Sequence, residues 1–171
     1  MPLDYHKQLG TNISIAKALD ASIVDGFLPN HQGDNLVLIC DIDETNTDAL
    51  EQTLKEIFKV PYVDFEGKRL NRIRKIAIVA GCGDKIEWMK EAENRGAHAY
   101  ITGEIHCHID NEYGKMKYDK MLGYANVTTM SLIGVSHSAS EYYVKKTLIK
   151  DWFERNFDVM PILIPQEKWW L

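Results

Sequence analysis

The sequence predicts a mixed α/β fold with a largely parallel sheet and flanking helices. Two observations carry that expectation. The apolar run 76–80 passes straight into Gly81-Cys82-Gly83-Asp84 and then a helical pattern of Ile86, Met89 and Ala92, which is the strand, tight turn and helix of a βαβ unit. Further short apolar runs at 36–40, 97–101 and 127–135 alternate with amphipathic stretches, as buried strands do between covering helices.

Taken in order, the chain opens on Pro2-Leu3-Asp4-Tyr5-His6, polar and without helix or strand period. From Asn12, read as an N-cap, Ile15, Ala16, Leu19 and Ile23 recur at helical spacing and predict a helix ending near Gly26 and Pro29. The run 36–40 is a strand, followed by Asp41-Ile42-Asp43-Glu44-Thr45. Leu50, Leu54, Ile57 and Phe58 then mark a helix that begins near Thr45 to Thr47 and stops before Pro61. No strand is expected between that helix and the run 76–80. Gly96 closes the helix carrying Met89, and the strand 97–101 runs into Thr102-Gly103-Glu104, polar groups at the strand end where open α/β sheets place ligands. His106 and His108 follow; they share a face only if the strand continues. Residues 113–124, rich in tyrosine and lysine, form a connection to the strand 127–135. A final helix over 141–156 should bury Val144, Leu148, Ile149 and Trp152. A last strand over 160–164 leaves Trp169 and Trp170 to pack on the domain's own flank or on a neighbouring subunit.

At 171 residues the chain suits one domain over 1–171, with a division into two small lobes, 36–130 against 1–35 plus 131–171, as the alternative. Hydrophobic content of 45% and charged content of 26% are those of an ordinary globule. A net charge of −5 argues against nucleic acid as the main partner. The basic run Lys68, Arg69, Arg72, Arg74 and Lys75 reads as a solvated turn before a strand rather than as a phosphate site. Three scattered cysteines, Cys40, Cys82 and Cys107, make neither a disulfide framework nor a Cys-x-x-Cys zinc site and suit a reducing compartment. No apolar run is long enough to cross a bilayer and the N-terminus is not a signal peptide, so a soluble cytoplasmic protein is expected.

The chemistry concentrates in Gly134-Val-Ser-His-Ser-Ala-Ser-Glu141, where a strand gives way to a helix. His137 and Glu141 are four apart and share one side of the first turn, so an imidazole nitrogen and a carboxylate oxygen can reach one metal ion. Ser138 and Glu141 also match the Ser-x-x-Glu capping box, a purely structural use of the same stretch. A different chemistry is suggested by Asp41-x-Asp43-x-Thr45, which is similar to the signature of haloacid-dehalogenase-type phosphatases, with Asp41 as nucleophile and Asp43 as acid/base. The competing use of Asp43, Glu44 and Thr45 is as the acidic start and cap of the Leu50 helix.

Together, Pro2-Leu3-Asp4, Leu9-Gly10-Thr11-Asn12, Ala80-Gly81-Cys82-Gly83, Ala99-Tyr100-Ile101-Thr102-Gly103-Glu104 and His137-x-x-x-Glu141 resemble the NIF-three-like family of dinuclear-metal-centre proteins, also called GTP cyclohydrolase I type 2 homologues. The resemblance covers almost the whole chain. It implies a NIF-three-like fold, a ring-shaped hexamer, and a divalent ion such as zinc, manganese, iron or magnesium. Asp4, His137 and Glu141 resemble three of the family's five metal ligands. The family's adjacent His-His pair, which precedes the Asp, has no counterpart here, so the chain looks like a member lacking its N-terminal part. His108 matches a histidine frequent after the family's Thr-Gly-Glu segment, and with His106 or His6 it would supply missing donors. Glu104 is expected behind the ligands or in proton transfer. The function so implied is metal-dependent hydrolysis of an unidentified small molecule by metal-activated water; the alternative is a non-catalytic regulatory or scaffolding homo-oligomer with a degraded metal site.

Overall fold

The computed structural model describes residues 2–165. A single six-stranded sheet of order β1-β2-β4-β5-β6-β3 forms the middle layer. Its strands are β1 (Ser22–Pro29), β2 (Asn35–Thr45), β3 (Asp64–Gly67), β4 (Ile73–Val79), β5 (Ala99–Thr102) and β6 (Ser131–Gly134). The helices are α1 (Pro2–Tyr5), α2 (Thr11–Ala18), α3 (Thr47–Phe58), α4 (Ile86–Asn94), α5 (Glu112–Ala125), α6 (His137–Val144) and, after a π-helical segment Lys145–Ile149, α7 (Lys150–Asn156).

The class is as expected, but the proportion of parallel pairing is not. β4, β5 and β6 are mutually parallel, as the βαβ pattern requires, whereas β1 with β2, β2 with β4 and β3 with β6 run antiparallel. Besides the β2–β4 pair, antiparallel pairing enters through two strands not anticipated. Residues 22–29 continue no helix; α2 stops at Ala18, and β1 returns to β2 through a turn in which Asn30 Oδ1 accepts from the amides of Gln32 and Asp34 at 2.8 and 2.9 Å. β3 lies at the opposite edge, in the interval expected to hold no strand. One sheet takes strands from both halves of the two-lobe division.

Alternation along the central strands fills two cores. Leu38, Cys40, Ile76, Ile78, Ala99, Ile101 and Ile133 face α2, α3 and α6, while Val37, Ile39, Ala77, Val79, Tyr100 and Leu132 face α4 and α5. Strands buried on both faces must be apolar at every position, which is why these runs stand out in the sequence. α3 lays Leu50, Leu54 and Phe58 on the first face, and Lys59, at φ 57°, ends it before Pro61. Its cap is Asn46, whose Oδ1 accepts from Ala49 N at 2.9 Å, so Asp43, Glu44 and Thr45 belong to β2 instead. Asp41 and Asp43 are exposed on a strand antiparallel to both its neighbours, not at the carboxyl end of a parallel one, and the phosphatase reading falls.

Three more expectations are corrected. Residues 113–124 are helical, within α5. Trp152 is 38% exposed rather than buried, stacked edge-on against Phe153 and Phe157. Residues 160–164 form no strand, since they find no partner at either sheet edge among the described residues. Trp169 and Trp170 lie outside the described residues. The basic run is neutralised locally: Arg72 and Arg74 both reach Glu44 Oε2 at 2.6 Å, and Arg69 pairs with Asp48.

Candidate metal site at the start of α6

β4, β5 and β6 end side by side, and their carboxyl ends deliver the site. After β4 the chain turns at Gly81, φ 71°, whose missing side chain leaves room for α6: a Cβ there would stand 3.3 Å from His137 Nε2 and 3.4 Å from Glu141 Oε1. After β5 comes Gly103, where a Cβ would fall 2.5 Å from Gly81 O, 2.8 Å from Ser140 Oγ and 2.9 Å from His137 Cα. Only glycine permits three segments to converge so closely.

Hydrogen bonds fix the convergence. Gly81 N donates to Ser140 Oγ at 3.1 Å, and that hydroxyl donates to His137 O at 2.8 Å. Glu104 N donates to Gly81 O at 2.9 Å, and Thr102 Oγ1 accepts from Gly83 N at 3.1 Å. Asn12 is not a cap. Buried in the first turn of α2, it donates to Leu36 O and accepts from Ala80 N, both at 2.6 Å, tying α2 to the Gly81 loop. The helix cap of α6 is Ser136, two residues before the expected Ser138; its Oγ accepts from Ala139 N at 3.4 Å with φ at 77°. Glu141 is thereby released from the capping box and turns to His137.

The resulting geometry is a carboxylate on each side of one imidazole. His137 Nδ1 lies 3.0 Å from Glu104 Oε1, and Nε2 lies 3.0 Å from Glu141 Oε1. The hydrogen bond to Glu104, then that to Glu141, lifts the His137 pKa to about 10 against the opposing effect of burial. The same bond to His137 holds the Glu141 carboxyl below its usual range. A cleft of about 330 Å3 opens over the pair, lined by Ser138, Tyr142, Lys145 and residues 162–164.

Of the seven residues singled out in the sequence, His137, Glu141 and Glu104 come together. Asp4 lies in α1, which packs on α2 as α2 packs on α6, and it lines a different cleft with Tyr5, Ile13 and Ile23. His6 closes a turn, its Nδ1 accepting from Gln8 N and Leu9 N at 3.1 and 3.0 Å. His106 is buried with Nε2 3.2 Å from Glu66 Oε1 of the edge strand, and His108 lines a separate cleft with Tyr118 and Asp119. Among the described residues no group of three or more His, Cys, Asp or Glu side chains is arranged to hold a metal ion. Cys82 sits on the Gly81 loop, but burial and its hydrogen bond to Asp84 push the thiol up to about 11. Gly81, Gly103 and Ser140 were missed as site builders because their contribution is close approach rather than chemistry.

A mixed α/β sheet whose parallel strands end at a histidine and a glutamate heading a helix is the class of protein these features define. The profile of the Duf34/NIF3 (NGG1p interacting factor 3) family matches residues 1–168, and the chain belongs to that family. A protein of Haemophilus influenzae described as "GTP cyclohydrolase 1 type 2 homolog" is 29% identical over 165 residues, 93% of this chain and 58% of its own length. A protein of the same description from Staphylococcus aureus is 29% identical over 131 residues, 72% of this chain and 32% of that protein. The chain thus spans between about a third and three fifths of these two relatives. Among solved structures, protein ybgI, of unknown function, superposes with a TM-score of 0.72 at 19% identity, covering 98% of this chain and 60% of that one. Staphylococcus aureus protein SA1388 gives 0.68 at 19%, covering 99% and 66%. At these identities the likeness is one of fold.

Proposed function

We propose that His137 and Glu141 hold a divalent cation, and that the protein is a metal-dependent hydrolase of a small molecule. One observation carries the reading: Nε2 and Oε1 stand 3.0 Å apart. Two ligand atoms bound to one ion at ordinary nitrogen and oxygen distances lie about 2.9–3.4 Å from each other, so the pair has the spacing of donors sharing an ion. Imidazole with carboxylate suits zinc, manganese or iron, with magnesium as a harder alternative.

When bound, such an ion would supply Lewis acidity toward the scissile group. The rest is done by the chain's own side chains. Glu104 accepts the Nδ1 proton, selects the tautomer that presents the Nε2 lone pair, and fixes the ring plane. Glu141 Oε1 supplies negative charge beside Nε2. Ser140 and Gly103 hold the Gly81 loop against α6 so that neither ligand needs to reorganise. Asp4 is retained as a further donor through α1. The substrate class is a phosphoester, an amide or a ring carbon; the relatives' description names GTP, while the sequence has no P-loop.

Equilibrium dialysis of metal-free protein against zinc and manganese tests the reading. Binding should disappear in His137→Ala and Glu141→Gln and weaken about 10–100-fold in Glu104→Gln. Wild-type affinity in both ligand variants rejects it. Unchanged affinity in Asp4→Asn would leave His137 and Glu141 as the ligands from the described chain.

A second reading, a non-catalytic homo-oligomer, is favoured by one surface. Trp152, Phe153 and Phe157, on and just after α7, pack on one another and stay partly exposed, and Met160, Ile162 and Ile164 beyond them are exposed too. A self-assembled ring, hexameric as the family resemblance implies, would cover it, and light scattering on Trp152→Ser/Phe157→Ser protein tests this. The described cysteines are free thiols, which supports the cytoplasm as the compartment; no helix among the described residues is long and apolar enough to cross a membrane.

A further inference from the structure

On the far flank of the Gly81 loop, a second cluster has no part in the His137 site. Asp84 is 4% exposed. Lys85 Nζ lies 2.6 Å from its Oδ1 and Lys117 Nζ 2.5 Å from its Oδ2. Burial raises the Asp84 carboxyl, but the two ammonium groups outweigh it and hold it at about 2. One carboxylate therefore serves two cations, and Lys117 is itself mostly buried, its side chain only 17% exposed. Such a pair lacks one negative charge of balance in a place where water screens poorly.

The place is a cleft of about 260 Å3 that a third lysine, Lys120, also lines. Tyr113, Met116 or Lys117, and Lys120 follow each other at three- and four-residue steps along α5, so a single helix face presents two ammonium groups beside an aromatic and a thioether wall. Lys85 comes from the start of α4, which has no side-chain cap on its first-turn amides. Glu87 is the one other acid lining the cleft, so three cations meet two anions in a chain whose overall charge is −5. Ordinary surface lysines avoid one another; here Asp84 gathers Lys85 and Lys117, Lys120 lines the same cleft, and each ammonium carries three donor hydrogens.

We infer that Lys85, Lys117 and Lys120 bind the phosphoryl group of a small phosphate monoester whose organic body lies against Tyr113 and Met116. Three ammonium groups lining one small cleft suit a compact dianion. The volume suits a molecule of a few rings at most. Nothing in this assignment depends on a metal at His137.

Calorimetry and amide chemical-shift titration of the full chain with phenyl phosphate and with inorganic phosphate, at an ionic strength held constant with sodium chloride, test it. Saturable binding is expected, tighter for phenyl phosphate, with shifts at Ile86, Glu87 and along α5. Lys117→Met and Lys120→Gln should each weaken it about tenfold, the scale of one charge-assisted hydrogen bond. Lys120 is exposed, so its variant folds even if Lys117→Met does not. Absence of saturable binding, equal affinity for both probes, or unchanged affinity in Lys120→Gln would overturn the assignment.

Discussion

Gly103→Ala should be among the most damaging single-methyl additions in this protein. Its Cβ would lie 2.5 Å from Gly81 O and 2.9 Å from His137 Cα, both main-chain atoms, so no side-chain rotation relieves the clash. The relief must come from moving β5's end away from the Gly81 loop and α6. Overpacking of this kind costs about 1–3 kcal/mol. For a chain of this length each kcal/mol lowers the melting temperature by about 2–4 °C, giving a fall of about 2–12 °C. Glu104 is the next residue, so its contact with His137 Nδ1 should be lost in the same movement, and metal affinity with it. Gly123→Ala is the control: it is helical, a Cβ there meets nothing within 4 Å, and it should be neutral or gain about 0.5–1 kcal/mol. Calorimetric melting of both variants decides the matter. Equal melting temperatures for Gly103→Ala and wild type would refute the close convergence of the three segments.

Metal-free protein should titrate His137 far above the ordinary value of 6.5, toward about 10, because Glu104 and Glu141 both hydrogen-bond the imidazolium. Since the folded value is raised, its stabilisation is whole below about pH 6.5 and fades as pH rises toward 10; histidine NMR titration and denaturation at several pH values check both. A midpoint near 6.5 would contradict the double contact. Leu54→Ala empties a site with no solvent exposure and should cost about 2–5 kcal/mol in urea unfolding. Asn46→Ala removes the α3 cap and should cost about 1 kcal/mol in the same assay.

Legibility in the sequence followed burial. β2, β4, β5 and β6 are covered on both faces, so continuous apolar runs announced them. β1 and β3 are edge strands: Ile23 and Val24 are exposed and β3 is half-buried throughout, so neither carries a pattern that distinguishes a strand from a helix end or a loop. Those two edges supply two of the three antiparallel pairings. α5 was obscured because it gives its outward face to tyrosines and lysines. His137 and Glu141 were visible as a helical pair, and Glu104 as a strand end. Their binding together was not, because it depends on Gly81, Gly103 and Ser140 approaching across elements far apart in the chain. Ser136 as cap was hidden by its positive φ, which no local pattern predicts. His6, His106 and His108 carry the right chemistry but lie in a turn and on the β3 side, lining none of the cleft over His137.

The central claim is that one imidazole and one carboxylate at the head of α6 share a cation. X-ray absorption spectroscopy on zinc-loaded protein measures that directly. The account predicts nitrogen and oxygen scatterers at about 2.0–2.2 Å with an imidazole signature that vanishes in His137→Ala. An imidazole-free spectrum in the wild type, or the same spectrum in His137→Ala, would contradict it.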